Sequence, residues 1–408
     1  MAKLRKLRVA LAIAEGGAIA NAARQLGLSQ PAVSRALQSL EAELGITLFH
    51  RSSRRLAASE AGILLVRRIG RAQEQLRIAE LELPAMSGEA ARSRPSLTIH
   101  AADHEFAALL AVAAHGTVSA GARHAGLSQP ALNRSLRALE NRAGLPLFHR
   151  TTAGMRLTPP GEALLRRVKL CFSEIRQGLE EVEILKGATG GQIRIGALPL
   201  TRVRLAPVAV ERLLMRYPEA EIAIVDGTYG SLLMALRQGD IDVLVGTIRR
   251  PAPVEGIVSE ELFEDDVVMV VGARHPLAGR GRVDLADCLG FPWVLPFKGV
   301  PLRLQFEAAL RAFGLEAPKR VIETDSVVAV RTLLMNGERV AILSRHQVHH
   351  EVEAGTLTIL PVRIECTNRQ VGLTMRADYV PTPLAAALLD ELRGVAAEIS
   401  EARPHAPA

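Results

Sequence analysis

Leu28-Ser29-Gln30-Pro31-Ala32 recurs as Leu127-Ser128-Gln129-Pro130-Ala131, and Leu48-Phe49-His50-Arg51 recurs as Leu147-Phe148-His149-Arg150. Both pairs are separated by 99 positions. At that offset Leu7 to Gly62 aligns with Phe106 to Gly161 without a gap, and 22 of the 56 pairs are identical. Self-similarity at a fixed offset over this length marks a copied folding unit rather than a repeated motif.

The first copy has helix-turn-helix grammar. Ala18 to Leu26 reads as a short helix, Gly27-Leu28 turns the chain, and Ser29 caps a second helix. Pro31 is tolerated in that helix's first turn, where the amides have no intrahelical partner. Val33, Leu37, Leu40 and Leu44 form a buried stripe, leaving Gln30, Ser34, Arg35 and Gln38 exposed. In the major groove Gln can pair with adenine, Arg with guanine, and Ser with either base or phosphate. Gly45 ends the helix, and Ile46 to Phe49 leads into Arg51, Ser52, Ser53, Arg54 and Arg55, a strand running into a basic wing. The second copy keeps the frame with Ser128, Pro130, Leu132, Leu136 and Leu139, and exposes Gln129, Asn133, Arg134 and Arg137. Ala153 and Gly154 stand where the first copy has Arg54 and Arg55, which weakens the wing's hold on phosphates. A fold kept only for protein contacts is the competing reading of each copy.

Composition bounds the remainder. The 408 residues exceed what one core usually organises, so three or four compact units are expected. With 48% hydrophobic and 23% charged residues the chain is globular, not disordered. The net charge of +7 is uneven: residues 1 to 58 hold nine Lys or Arg (Lys3, Arg5, Lys6, Arg8, Arg24, Arg35, Arg51, Arg54, Arg55) against Glu15, Glu41 and Glu43. That local excess suits a polyanion. Neither a long apolar run nor a signal-peptide core is seen, so a cytoplasmic location without membrane contact is expected. Cys171, Cys288 and Cys366 lack C-x-x-C spacing and read as reduced thiols, with a Cys288 to Cys366 redox switch as the minor alternative.

Each copy is followed by a long helical stretch. Leu165, Val168, Phe172, Ile175, Leu179 and Val182 alternate three and four apart within Glu162 to Lys186, the rhythm of a coiled-coil seam. Leu65, Ile69, Ala72, Leu76, Ala79 and Leu83 repeat it with smaller residues. The seam needs a partner helix, from a second copy of the chain or from the other stretch. Pro84 to Pro95 reads as a connector.

Gly187-Ala188-Thr189-Gly190-Gly191 opens a different pattern. Strand-like runs at Ile193 to Gly196, Ile222 to Val225, Val243 to Gly246, Val267 to Val271, Trp293 to Leu295, Val321 to Glu323 and Val340 to Leu343 alternate with helical stretches, as in a mostly parallel sheet. The spacing suits two α/β lobes facing a cleft, with ligands at the carboxyl ends of strands. Leu198-Pro199-Leu200-Thr201, Gly227-Thr228-Tyr229 and Thr324-Asp325-Ser326 occupy such ends. Thr201 and Ser326 are expected at helix starts on opposite lobes, either as ligand-binding hydroxyls or as plain caps. Pro296 and Phe297 supply an apolar wall and Arg303 an anion partner.

The stretch Ser29 to Arg35, with Leu40-Glu41, Leu44-Gly45 and Leu48-Phe49-His50-Arg51, resembles the winged helix-turn-helix of LysR-type transcriptional regulators. The second copy departs from it with Asn133 and Ala143, and the first with Ala58-Ser59 against Leu157-Thr158-x-x-Gly161. Gly191-Gln192-Ile193-Arg194-Ile195-Gly196, Tyr217-Pro218, Gly239-Asp240-Ile241-Asp242 and His275-Pro276-Leu277 resemble the same family's periplasmic-binding-protein-like effector domain. The resemblance implies DNA contacts at Gln30, Pro31, Ala32, Ser34 and Arg35 and their counterparts Gln129, Pro130, Ala131, Asn133 and Arg134. It also favours pairing of the second long helix between chains.

The expected architecture is therefore α plus α/β and multidomain. It comprises a first winged helix-turn-helix (1–62), a linker helix and connector (63–95), a second winged helix-turn-helix (96–161), a dimerisation helix (162–188) and a bilobal effector domain (189–408). Lobe I takes 189–266 and 370–408, and lobe II 267–369, with crossover strands near Leu262 to Val270 and Glu365 to Leu373. The expected function is a DNA-binding transcriptional regulator switched by a small metabolite, anionic or polyhydroxylated. Promoter duplex is the partner, with RNA polymerase as a further one, in a homodimer or homotetramer needing no cofactor. Gly187 to Gly196 lacks the Lys-Ser/Thr of a phosphate loop, and no nucleophile elbow supports an enzyme. His346, His349, His350 and Glu351 lack the H-E-x-x-H order of a metal helix. A solute-binding protein or a metabolic enzyme on a bilobal fold is the rival.

Overall fold

The structure, a computed structural model, describes residues 4–51, 56–86, 97–252, 254–362 and 369–401. It forms two compact units rather than three or four, one built on α1 to α9 and the other on β5 to α16.

In the first unit α1 (Leu4–Gly16), α2 (Ile19–Leu26), α3 (Gln30–Leu44), β1 (Phe49–Arg51), β2 (Leu56–Ala58) and α4 (Glu60–Ala85) are followed by a short α5 (Leu97–His100). The same order then returns as α6 (Asp103–His115), α7 (Val118–His124), α8 (Gln129–Ala143), β3 (Phe148–Thr151), β4 (Gly154–Leu157) and α9 (Pro159–Leu185). Local chemistry makes the two copies alike. Ser29 and Ser128 accept from the amides of Ala32 and Ala131 at 3.4 and 3.3 Å, and Gly45 and Gly144 close α3 and α8 with φ of 64° and 66°. Glu41 accepts the Leu48 amide at 2.7 Å and Glu140 that of Leu147 at 2.9 Å, which anchors each antiparallel hairpin to its helix. Gly62 and Gly161 pass so close to the hairpin that a Cβ would lie 2.1 and 2.0 Å from the Leu48 and Leu147 carbonyl oxygens. Both modules are thus locked to the start of their long helix in the same way.

The seam belongs to those long helices together. Arg68 of α4 is fully buried and donates to Glu174 at 3.0 Å, Gln177 at 2.9 Å and Glu181 at 3.1 Å of α9. Arg167, its counterpart 99 positions on, donates to Glu82 at 3.1 Å and Gln75 at 2.9 Å of α4. Residues early in one helix meet residues late in the other, so the pair is antiparallel. Glu82 and Gln75 are the counterparts of Glu181 and Glu174, and the outer pairs Arg67–Glu181 and Arg166–Glu82 obey the same rule. An approximate two-fold axis therefore runs between α4 and α9. One apolar cluster extends from Leu7 and Val33 through Leu65, Leu76, Val168 and Ile175 to Leu109 and Leu136, which is why the two modules do not separate. The expectation that α9 takes its partner from a second chain is corrected: α4 covers it, with Leu165, Val168, Ile175 and Val182 buried. The periodicity was sound, but heptads identify a seam and not its owner.

The second unit holds two five-stranded sheets. One has the order β6-β5-β7-β14-β8, from β5 (Gly190–Ala197), β6 (Glu219–Val225), β7 (Val243–Thr247), β8 (Ile257–Asp265) and β14 (Arg369–Arg376), with α10 (Leu205–Arg216), α11 (Tyr229–Gln238) and α16 (Pro383–Glu401). The other has the order β11-β10-β12-β9-β13, from β9 (Val267–Gly272), β10 (Trp293–Leu295), β11 (Val321–Glu323), β12 (Val340–Ser344) and β13 (Leu357–Ile359), with α12 (Leu285–Leu289), α13 (Pro301–Ala312), α14 (Val327–Met335) and α15 (His349–Glu353). The sheets are mixed, not mostly parallel: β14 runs antiparallel to β7 and β8, and β9 antiparallel to β12 and β13. The chain passes between sheets at Asp265–Val267, and a strand that crosses lobes enters its second sheet against the βα grain. Among the described residues no single helix is long and apolar enough to cross a membrane.

Arg68→Ala should remove the buried cation that Glu174 and Glu181 share, leaving them only the outer arginines Arg71 and Arg67. A loss of about 3–5 kcal/mol in the stability of the first unit is expected, read from its denaturant midpoint.

Candidate functional site

The two second helices present matching faces. Gln30, Pro31, Arg35 and Gln38 are exposed with Ala32 and Ser34 half-buried, while Val33 and Leu37 face the core. Gln129, Pro130, Arg134 and Arg137 are likewise exposed, Ala131 and Asn133 half-buried, and Leu132 and Leu136 buried. The sequence-derived contact residues thus share one face of each helix near its N-terminus. Gln129 differs from Gln30 in being held, its amide donating to Ser119 of α7 at 2.9 Å. Arg51 lies on β1, whereas Arg54 and Arg55 fall outside the described residues.

In the second unit the structure redistributes the expected ligand groups. Thr201 is fully buried, and its hydroxyl donates to the carbonyls of Leu198 at 3.1 Å and Val245 at 2.9 Å. It does not cap α10, which begins at Leu205, and its hydroxyl is spent on two carbonyls, so its assignment as a binding hydroxyl is corrected. The hydroxyl is needed where it is, because the Leu198–Thr201 turn crosses the end of β7. Arg303 is also buried and spent: it donates to Glu307 at 2.6 Å and to the Pro296 carbonyl at 3.4 Å, with Glu323 at 3.6 Å. An anion there would meet a neutralised cation.

Others stay available. Ser326 is exposed and caps α14 through the Ala329 amide at 3.3 Å, and Thr324 accepts the Ser326 amide at 3.1 Å. Thr228 is exposed and accepts the Ser231 amide at 3.2 Å at the start of α11. Tyr229 is buried beneath the Arg249 guanidinium, 3.8 Å above its ring, and burial pushes its hydroxyl's pKa up. Phe297 is 49% exposed after β10, an uncovered aromatic beside Pro296.

The crossover between the sheets is a polar knot that sequence reading missed. The buried Asp265 carboxylate accepts from Ser344 at 2.7 Å and from Arg369 at 3.1 Å, and stands 3.4 Å from His346 Nδ1. The other nitrogen of His346 reaches the Leu200 carbonyl at 2.9 Å, and Gln347 donates to the Pro199 carbonyl at 3.3 Å. Pro199 and Leu200 therefore serve through their carbonyls, joining the turn after β5 to the turn after β12. Burial holds the His346 pKa below the usual imidazole range, against the pull of Asp265. His346 is thereby set apart from His349 and His350, which lie beside Glu353 on α15. Cys171 and Cys288 are buried, with thiols pushed up to about 12 and about 11, unsuited to thiolate chemistry; Cys366 lies outside the described residues.

Comparisons agree with this layout. The family model for the bacterial regulatory helix-turn-helix protein, lysR family, matches residues 4–63 and again 104–162, and that for the LysR substrate binding domain matches 186–397. The chain is 31% identical to the HTH-type transcriptional regulator GalR of Pseudomonas putida over 97% of its own length and 98% of the relative. It is 33% identical to the HTH-type transcriptional regulator PcaQ of Agrobacterium fabrum over 68% of its length and 89% of that protein. Among solved structures, full-length CbnR complexed with its target DNA has the same fold at 21% identity, with a TM-score of 0.51 over 71% of this chain and 98% of that one.

His346 is expected to be neutral when folded. Its lowered pKa contributes stability that is present above about pH 6.5, the unfolded value, and is lost as pH falls through the folded one. Buried His275 carries a shift of the same sign. The second unit should melt earlier at pH 5.5 than at pH 7.5, and His346→Gln should reduce that difference in calorimetry.

Proposed function

This chain belongs to the LysR-type transcriptional regulators, and within that family we propose that α3 reads promoter DNA through Gln30, Ser34 and Arg35 while a small metabolite binds between the two lobes. The observation that carries the reading is the exposed N-terminal face of α3, whose apolar stripe is fully spent on the core. Gln30 and Arg35 have no packing role there, and their chemistry suits adenine and guanine edges. Arg51, Arg54 and Arg55 supply phosphate contacts that hold register without reading sequence. The same face on α8, with Gln129, Pro130, Ala131, Asn133 and Arg134, supports a second winged helix-turn-helix module.

For the effector, Thr228, Thr324 and Ser326 offer hydroxyls at helix starts, and Phe297 with Pro296 an apolar wall. Since Arg303 is neutralised, the cation for an anionic metabolite is better sought in Arg204, half-buried and close enough to His346 to depress its pKa. A polyhydroxylated metabolite would use the hydroxyls instead. The Asp265 knot is where lobe closure would be felt, because it joins strands of both sheets to the Leu200 turn. A homodimer or homotetramer is built through faces other than the α4–α9 seam. The molecule works in the cytoplasm, where promoter DNA and RNA polymerase are found.

Arg35→Ala should cost about 1–3 kcal/mol at one operator position and little on random duplex, measured by titration of both at fixed salt. An equal loss on both would remove its base-reading role.

A further inference from the structure

We propose that the two modules of a single chain form one reading head for an operator of two unlike half-sites, α3 on one half and α8 on the other. The proposal rests on the DNA-reading function above and adds the operator's symmetry and the number of chains that read it.

Three observations converge on it. The α4–α9 polar contacts repeat about an approximate two-fold axis: Arg68 with Glu174 and Glu181 matches Arg167 with Gln75 and Glu82. Each module is attached to its long helix through the same close approach at Gly62 and Gly161, and through Ser59 and Thr158, which accept the Gly62 and Gly161 amides at 3.1 Å. The axis that relates α4 to α9 therefore also relates α3 to α8. Finally, the two helices expose the same positions, 30, 31, 35 and 38 against 129, 130, 134 and 137.

Connections near the axis close the arrangement within one chain. The Leu4 amide donates to Asp103 at 3.1 Å, residues that are themselves 99 positions apart. Arg8 donates to the carbonyls of Ile99 at 2.8 Å and Ala101 at 3.1 Å, and the Thr98 amide donates to Glu80 at 2.8 Å. Residues 97–103, at the start of the second module, are thus pinned to α1 and α4.

A symmetric dimer presents two identical faces and so selects a palindrome. This chain presents two that differ. Gln30 and Arg35 persist as Gln129 and Arg134, but Ser34 becomes Asn133 and Gln38 becomes Arg137. Asn favours a bidentate adenine contact and Arg a bidentate guanine contact, so the half-sites share the bases read by the conserved pair and diverge where Ser34 and Gln38 are replaced. Ser119 holds Gln129 in place, whereas the first copy has Ala20 at that position.

The test uses the full chain and a pool of random duplexes. Selection should recover two inverted but unequal half-sites. Arg35→Ala should lower affinity about 10-fold and weaken protection in one half only, and Arg134→Ala should do so in the other. Both arginines are exposed, so unchanged melting temperatures should accompany these losses. Scrambling the half that a variant reads less well should cost that variant less than it costs the native chain, and a palindrome of either half should bind the native chain less tightly. A palindrome that binds as well or better would overturn the proposal. An effect of Arg35→Ala with none of Arg134→Ala would also overturn it, while leaving the DNA-reading function intact; no effect of either would overturn both. Co-expressed Arg35→Ala and Arg134→Ala chains should not restore binding. Restoration would mean that α4 and α9 pair between chains, which would overturn the single-chain reading head.

Discussion

The antiparallel pairing of α4 with α9 is the constraint on which the first unit depends. Arg68, Gln75 and Glu82 are spaced seven apart, as are Arg167, Glu174 and Glu181, so each helix carries a polar stripe along its apolar seam. Arginine comes early and glutamate late in both. Run antiparallel, the stripes bring each arginine to the other helix's glutamate; run parallel, arginine would face arginine within a dry interface. Buried ion pairs add little net stability over an apolar core, because desolvation offsets their attraction. Their effect here is on orientation, as polar residues set register in coiled coils. Gly178 completes the fit, since a Cβ there would lie 2.7 Å from that of Arg68.

That geometry explains why the modules and their linkers form one body. An isolated winged helix-turn-helix of about 60 residues buries a modest core. Here Phe106 packs edge-on against Phe172 at 6.3 Å, and Leu7, Leu65 and Val168 join one cluster. The second unit follows a different principle, because its lobes meet at a charged junction. Asp265, Ser344 and Arg369 come from β8, β12 and β14, and His346 and Gln347 tie that junction to the Pro199–Leu200 turn. A hydrogen-bonded joint of this kind has directional contacts that can be exchanged, whereas an interdigitated core resists sliding.

Much of this was legible in the residues. The caps Ser29 and Ser128, the stop at Gly45 and Gly144, and the stripe Val33–Leu37–Leu40–Leu44 are local signals, and local signals survive folding. The partner of α9 was not legible from its apolar rhythm. The polar stripe would have revealed it, since the charges of positions 68 and 82 complement those of 181 and 167 only in antiparallel order. Thr201 and Arg303 misled for a related reason. A hydroxyl after a strand and an arginine near a strand end look available until the carbonyl of Val245 and the carboxylates of Glu307 and Glu323 are placed in space. The crossover strands were only partly visible because the Asp265 knot draws on residues up to 148 positions apart.

Duplication changes what a linker helix can do. When one chain carries one such helix, the antiparallel seam must be completed by a second copy, and its formation depends on protein concentration. When the helix is copied within the chain, its partner is tethered at an effective concentration on the order of millimolar. Arg8 and Glu80 strengthen that tether by holding residues 97–101 at the start of the second copy. The second copy is then released from having to match the first, because the two faces no longer arise from one sequence. Substitutions such as Asn133 and Arg137 can accumulate on one side alone, provided the positions in the clasp keep their charges. Arg68 and Arg167 are unchanged between copies, as are Glu82 and Glu181, while the exposed faces have diverged. The set kept between the copies holds the modules together, and the divergent set lies on their solvent-facing sides.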